Sequence, residues 1–136
     1  MSRLLPVLTA ENRAFWTGGA QGRLMITHCS ACDRPIHPPR TICPFCLSRK
    51  TDTRPASGFG MVHSFTVNHH PWRPGLATPF ALVVVDLEGL PGVRLTAEMV
   101  GVDPEEVYID QPVKVTFLNV EDVWIPQFEP ASASRP

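Results

Sequence analysis

All four cysteines of the chain fall within eighteen residues, as Cys29-Ser-Ala-Cys32, ten intervening residues, and Cys43-Pro-Phe-Cys46. A Cys-x-x-Cys turn sets two thiolates on one side of a tight loop, and two such loops facing each other form the sulfur tetrahedron that Zn²⁺ prefers. Four protein ligands leave no open position for water, so a metal held here is structural. Two disulfides or a redox pair are the competing readings. Stable disulfides belong to oxidising compartments, and a redox motif needs no second matching pair. The expectation is a structural Zn²⁺ on Cys29, Cys32, Cys43 and Cys46. Iron suits the same four thiolates, and spacing does not separate the two metals. His28 and His37 adjoin the cluster and are expected beside it or at the surface, because the thiolates already complete the coordination.

The rest of the composition narrows the class. Of 136 residues, 43% are hydrophobic and 18% charged, with a net charge of −1. That describes one small globular domain or two very small ones. It excludes a disordered solvating chain and gives no support for general polyanion binding. The longest apolar run, Phe80 to Val85, falls well short of the roughly 20 residues a bilayer crossing requires. Residues 1–20 show no charged start followed by an apolar core. A cytoplasmic protein with no membrane partner is expected. Fifteen prolines and nine glycines favour short strands and tight turns over a helical bundle.

Upstream of the cysteines, Thr9 to Trp16 reads as a short helix capped by Thr9 and stopped at Gly18-Gly19. Phe15 and Trp16 are adjacent, hence about 100° apart, so one is expected to face away from whatever the other packs on. A helix this short must dock, at home or on another protein. Gln21 to Thr27 then reads as a strand into the first metal loop. Around the cysteines, Arg23, Arg34, Arg40, Arg49, Lys50 and Arg54 oppose Asp33 and Asp52. They either balance the net −2 of a zinc tetrathiolate or offer forks to a phosphate-bearing ligand.

From Gly58 onward the period becomes two. Met61, His63, Phe65 and Val67 share one strand face, which makes His63 a candidate core residue. Phe80 to Leu87 reads as a nearly continuous buried strand, and Val93 to Met99 as the next. Asp103-Pro104 caps a single helical turn. Pro112 to Leu118, with Val113, Val115 and Phe117 inward, and Val123 to Phe128 complete five strands with a helical turn between the third and fourth. That order is the mark of an OB-type barrel. A split five-stranded sheet is the alternative topology. The loop from His69 to Pro79 is long and proline-rich. Its Trp72 either covers the barrel mouth or contacts a ligand or partner. His69 and His70 have no carboxylate or nucleophile near them in sequence to complete a catalytic set.

Taken together, Phe15-Trp16-x-Gly18, Gly22-x-Leu24, Cys29-x-x-Cys32, Pro38-Pro39-Arg40, Cys43-Pro44-x-Cys46, Gly58-x-Gly60-x-Val62 and Ser64-Phe65-Thr66-Val67 resemble the DUF35 group of acyl-CoA-associated proteins over residues 11–128. The resemblance implies a mainly β chain with an N-terminal helix, a rubredoxin-like zinc ribbon and a five-stranded OB barrel. The corresponding segments are 1–22, 23–57 and 58–130, followed by a flexible tail at 131–136. It also implies a partner of the thiolase-like or lipid-transfer type, in a heterotetramer built around a partner dimer, with an acyl-CoA thioester reached through the complex. In steroid side-chain breakdown such a module pairs with a thiolase-fold aldolase that performs a retro-aldol cleavage. Two positions depart from the family: Asp33 stands where a glycine usually follows the second cysteine, and Leu47 where a small residue usually follows the fourth. Asp tolerates a left-handed backbone. Leu47 is expected to alter packing alone.

The function expected on this basis is a non-catalytic accessory subunit of an enzyme acting on CoA thioesters, with Phe15, Trp16, Pro38, Pro39, Arg40 and Trp72 as contact points to partner or substrate. The competing class is a zinc-ribbon and OB protein that binds single-stranded nucleic acid, which needs a cationic groove with aromatic platforms. Residues 58–136 carry four basic residues against ten acidic ones, and strands two and three offer Phe80 as their single aromatic. No nucleic-acid partner is expected.

Overall fold

A computed structural model describes residues 5–72 and 74–131. The expected flexible tail at 131–136 therefore lies outside the described residues from position 132 on, as do the first four residues of the N-terminal segment. The chain starts with helix α1 (Arg13–Thr17) and a 3-10 turn at Gly18–Gln21, followed by strands β1 (Met25–Cys29), β2 (Arg34–Ile36) and β3 (Thr51–Pro55). Five longer strands follow, β4 (Phe59–Asn68), β5 (Phe80–Leu87), β6 (Arg94–Met99), β7 (Pro112–Val120) and β8 (Val123–Pro130), with a 3-10 turn at Pro104–Glu106 between β6 and β7.

The helix begins later than expected, after Asn12, which makes no side-chain cap bond; Thr9 instead closes the turn ahead of it, by a reciprocal device. Asn12 Oδ1 accepts from the Thr9 backbone N–H at 2.7 Å while Thr9 Oγ1 accepts from the Asn12 N–H at 3.3 Å, a capping box with Asn in the place of Glu or Gln. Gly18-Gly19 does not end the helical path. It tightens into the 3-10 turn, which Gly22 closes in the left-handed conformation at φ 70°. Asp103 behaves as expected, its Oδ1 accepting the Glu105 N–H at 3.0 Å ahead of Pro104 at the first helical position.

Strands β1 to β3 form a small antiparallel sheet in the order β2-β1-β3, and β4 to β8 close into a barrel in the order β4-β5-β6-β8-β7. The split-sheet alternative is thereby excluded. Phe15, Leu24 and Ile26 share one apolar cluster with barrel residues such as Val62, Val83, Val85, Val113 and Phe128. The N-terminal segment thus docks on its own barrel. The ribbon has a far smaller apolar cluster, Cys29, Ile36 and Cys43 with Cys32 packed against it. So little buried area cannot hold three short strands in water without a further cross-link.

On β4 the expected face assignment fails in its first half. Val62 is fully buried, while Met61 is 46% exposed and His63 is also exposed. The cause is a β-bulge: Val62 opposes Val85 and Ser64 opposes Val84, which leaves His63 as the extra residue. After the bulge the phase reverses, so Val67 packs on the core, while Phe65, though opposite buried Val83, stays 37% exposed. His63 is therefore a surface residue, its Nδ1 3.3 Å from Asp86 Oδ2. Strand β5 alternates rather than running buried throughout: Ala81, Val83, Val85 and Leu87 face in, and Leu82 and Asp86 face out.

Candidate functional site

The two Cys-x-x-Cys turns have the same construction. The Asp33 N–H bonds to the Cys29 carbonyl, and the Leu47 N–H to the Cys43 carbonyl, each at 2.9 Å. In both turns the residue after the second cysteine is left-handed, Asp33 at φ 60° and Leu47 at φ 65°. A second N–H points at sulfur in each: Cys32 N–H to Cys29 Sγ and Phe45 N–H to Cys43 Sγ, both at 3.4 Å. The expectation for Leu47 needs correction here. It occupies a strained backbone position with its side chain 75% exposed, so it contributes little to packing and carries a conformational cost.

All four Sγ atoms lie within 4.8 Å of one another. The Cys29–Cys46 and Cys32–Cys43 separations are 3.6 and 3.7 Å. A disulfide requires about 2.05 Å, whereas a tetrahedron with Zn–S bonds of about 2.3 Å has edges of about 3.8 Å. The donor set and its spacing therefore fit a structural zinc ion. The bare thiols are unequal. Burial and the neighbouring sulfurs push Cys32 up to about 12. Burial also raises Cys43, but the backbone N–H groups of Cys46 and Phe45 together with the Cys32 and Cys29 thiols bring it down to about 6. A dication among the sulfurs favours the thiolate form of all four.

Part of the charge around the ribbon is engaged within it. His28, 8% exposed, sets Nε2 at 2.8 Å from Asp33 Oδ1 and Nδ1 at 3.3 Å from Asp52 Oδ1. Arg54 lies 3.8 and 3.6 Å from the same two carboxylates, and Arg34 stacks over the Phe45 ring at 4.7 Å. His28 thus hydrogen-bonds to Asp33 of the first knuckle, while its buried Nδ1, near Asp52 of β3, has no hydrogen-bond partner among the described residues. Among the arginines, Arg54 thus serves charge balance beside the first knuckle.

Beside the metal loops runs a groove of about 780 Å³ whose walls come from three parts of the chain. Helix α1 supplies Phe15 and Trp16, the segment after β2 supplies His37, Pro38 and Pro39, and the barrel supplies Leu82, β6 from Arg94 to Glu98, and Ile125 to Gln127 of β8. Four of the six expected contact residues, Phe15, Trp16, Pro38 and Pro39, meet here. Phe15 is only 6% exposed and Trp16 is half-buried, their rings edge-to-face at 4.9 Å. Arg40 lies elsewhere, on a smaller cleft with Phe45 and Pro91. Trp72 does not plug the barrel. It is 72% exposed, with Nε1 donating to Asn68 Oδ1 at 2.6 Å and its ring against His70 at 4.4 Å. His69 acquires a carboxylate only in three dimensions, Glu105 at 3.5 Å. The part of β6 and β8 in the groove escaped sequence reasoning, because nothing local in either strand announces which neighbour it meets.

Comparison with known proteins places this geometry in a family. The family model for the ChsH2 rubredoxin-like zinc ribbon domain matches residues 16–52, and that for the ChsH2 C-terminal OB-fold domain matches residues 53–118. A DUF35 domain-containing scaffold protein of Methanocaldococcus jannaschii is 32% identical over 73% of this chain and 70% of its own length. A protein named probable enoyl-CoA hydratase alpha subunit, from Thermomonospora curvata, is 38% identical over 93% of this chain but only 39% of its own length. The 3-oxo-4,17-pregnadiene-20-carboxyl-CoA hydratase alpha subunit of Mycobacterium tuberculosis is 41% identical over 55% of this chain and 24% of its own length. This chain thus spans about two fifths and one quarter of those two curated relatives. Among solved structures, a chain of an Ltp2-ChsH2(DUF35) aldolase superposes with a TM-score of 0.83 at 35% identity, covering 94% of this chain and all of that one. A DUF35 protein of Sulfolobus solfataricus shares the fold at a TM-score of 0.63 and 20% identity.

Proposed function

The chain belongs to the DUF35 family, and from that membership we propose that it is a non-catalytic accessory subunit of a thiolase-fold enzyme acting on acyl-CoA thioesters, with a steroid side-chain retro-aldolase as that enzyme. The observation that carries this reading is the whole-length match to a chain of the Ltp2-ChsH2(DUF35) aldolase. The hydratase alpha subunits, of which this chain matches 39% and 24%, support an association with CoA-ester chemistry.

The residues fit such a subunit. Four thiolates around one ion saturate the metal, which then cross-links the ribbon and activates no water. The zinc ribbon holds Pro38 and Pro39 against the helix and barrel, and this composes a surface from three chain segments. A partner that already has its own reactive groups gains a rigid wall that positions substrate and excludes water, a contribution that acts through geometry. The stoichiometry proposed is two copies of this chain on a partner dimer.

Co-expression with a thiolase-fold protein of the kind proposed as its partner, followed by size-exclusion chromatography and an aldol-cleavage assay, tests the reading. A stable complex is expected, active only when both chains are present. Elution as a lone monomer beside that protein, or turnover of CoA thioesters by the isolated chain, would overturn it.

A further inference from the structure

The barrel is closed by only two residue pairs between β6 and β8, the parallel contacts Glu98–Gln127 and Met99–Phe128, with the Val100 N–H bonding to the Phe128 carbonyl at 2.7 Å. Toward their N-terminal ends the two strands part, and residues 94–97 of β6 and 125–126 of β8 line the groove instead of each other. The ladder between β5 and β6 determines where the freed backbone groups point. The Leu87 N–H bonds to the Val93 carbonyl at 3.2 Å, and the register continues without interruption from Asp86–Arg94 to Ala81–Met99. By the alternation of an antiparallel ladder, residues 95, 97 and 99 bond inward to β5, and residues 94, 96 and 98 turn their N–H and C=O toward β8. Arg94 and Thr96 therefore direct unpaired backbone donors and acceptors into the groove. From residue 94 to residue 98 this edge is about 13 Å long.

A free edge of this kind is a template for an added strand. The groove also selects by charge. Arg94 is already paired with Asp86 at 2.9 Å, whereas Glu98 and Glu11 line the groove without a cationic partner among the described residues. An occupant carrying Lys or Arg is favoured, and the phosphates of a CoA nucleotide are disfavoured.

We propose that the parted edge of β6 receives an extended segment of the partner chain, which pairs with the backbone of Arg94 and Thr96 and sets a basic side chain against Glu98 and Glu11. This is strand addition, in which backbone bonds supply affinity and side-chain pockets supply specificity. It rests on the subunit reading above and deepens it by naming the mode of docking.

The test uses the intact chain with and without the co-expressed thiolase-fold protein. Hydrogen exchange should show the Thr96 amide slowed at least about tenfold in the complex. Thr96→Pro removes an N–H that its own ladder does not use, and should weaken the complex about tenfold, while Thr96→Val, which keeps it, should bind as the unmodified chain does. Glu98→Lys should also weaken binding, with a reduced salt dependence. Exchange of the Thr96 amide in the unmodified complex at the free rate overturns the proposal, whether or not Thr96→Pro folds. So does protection that appears with coenzyme A alone, or that grows with the concentration of this chain alone. Failure of the unmodified chain to form any complex overturns the subunit reading and this inference with it.

Discussion

The rings of Phe15 and His37 stack with centroids 5.2 Å apart and planes tilted by 40°, and this contact joins the N-terminal helix to the segment that follows the first metal loop. Burial holds His37 below the usual imidazole value, which favours the neutral ring. Since Phe15 also belongs to the barrel core, helix, ribbon and barrel meet through one aromatic pair at the wall of the groove.

The metal is expected to stabilise that wall. One zinc per chain should be found by elemental analysis, with four thiols that react only after chelation. Cys43→Ser, at a fully buried ligand position, should abolish zinc binding and remove amide protection across β1 to β3 while leaving the barrel strands protected. A metal-free, fully folded chain with four freely reactive thiols would contradict this.

Gly19→Ala should cost about 1–3 kcal/mol in urea unfolding. A Cβ at position 19 would lie 2.7 Å from the Phe117 ring and collide with the Cβ of Trp124, so the 3-10 turn must lift off β7 and β8. An unchanged midpoint would show that this contact is slack.

Leu47→Gly should stabilise the chain. Left-handed backbone costs a residue with a Cβ about 1–2 kcal/mol, and the exposed side chain forfeits little on removal. Part of that gain is offset by the extra freedom of glycine in the unfolded state. A net rise of about 0.5–1 kcal/mol, read as a few degrees in Tm, is expected, and a fall would contradict it.

Trp72→Ala should leave stability within about 0.5 kcal/mol, as for other exposed positions, and weaken assembly or substrate use in the complex. His69→Ala and His70→Ala should leave turnover of an assembled complex unchanged. Loss of turnover in an intact, substrate-saturated His69→Ala or His70→Ala complex, with Trp72→Ala silent, would make this subunit catalytic.

The Arg94 guanidinium, bonded to Asp86 at 2.9 Å, holds that carboxyl below its ordinary value, with His63 adding to the effect. A carboxyl lowered on folding stabilises above its unfolded value of about 3.8, and loses that contribution as pH falls through the folded value. Because both side chains are about half exposed, the contribution is well under about 1 kcal/mol. Arg94→Ala should therefore move the carbon-detected titration of Asp86 upward with little change in stability at neutral pH, and an unmoved titration would refute the pairing.

Much of the architecture was readable from particular residues. Strictly local devices translate directly: the Asp103-Pro104 turn and the left-handed Asp33 tolerated after the second cysteine. The element order of an OB barrel followed from five strand segments and one helical turn between the third and fourth. The reading of β4 failed at His63, because a bulge is a property of two strands in register and leaves no mark on one. Leu47 misled for a related reason. Its type suggested packing, while the knuckle dictated φ.

By itself, the sequence determined the metal-binding chemistry and the class of fold, since the four thiols act within two short loops and the strand periods arise from local alternation of side chains. Only the tertiary structure decided which surface those pieces compose. The groove exists because α1, the loop at Pro38-Pro39 and the parted ends of β6 and β8 converge, and Trp72 stands exposed, held by Asn68 and His70. Such convergence depends on long-range packing between residues tens of positions apart, and no local run of residues encodes it.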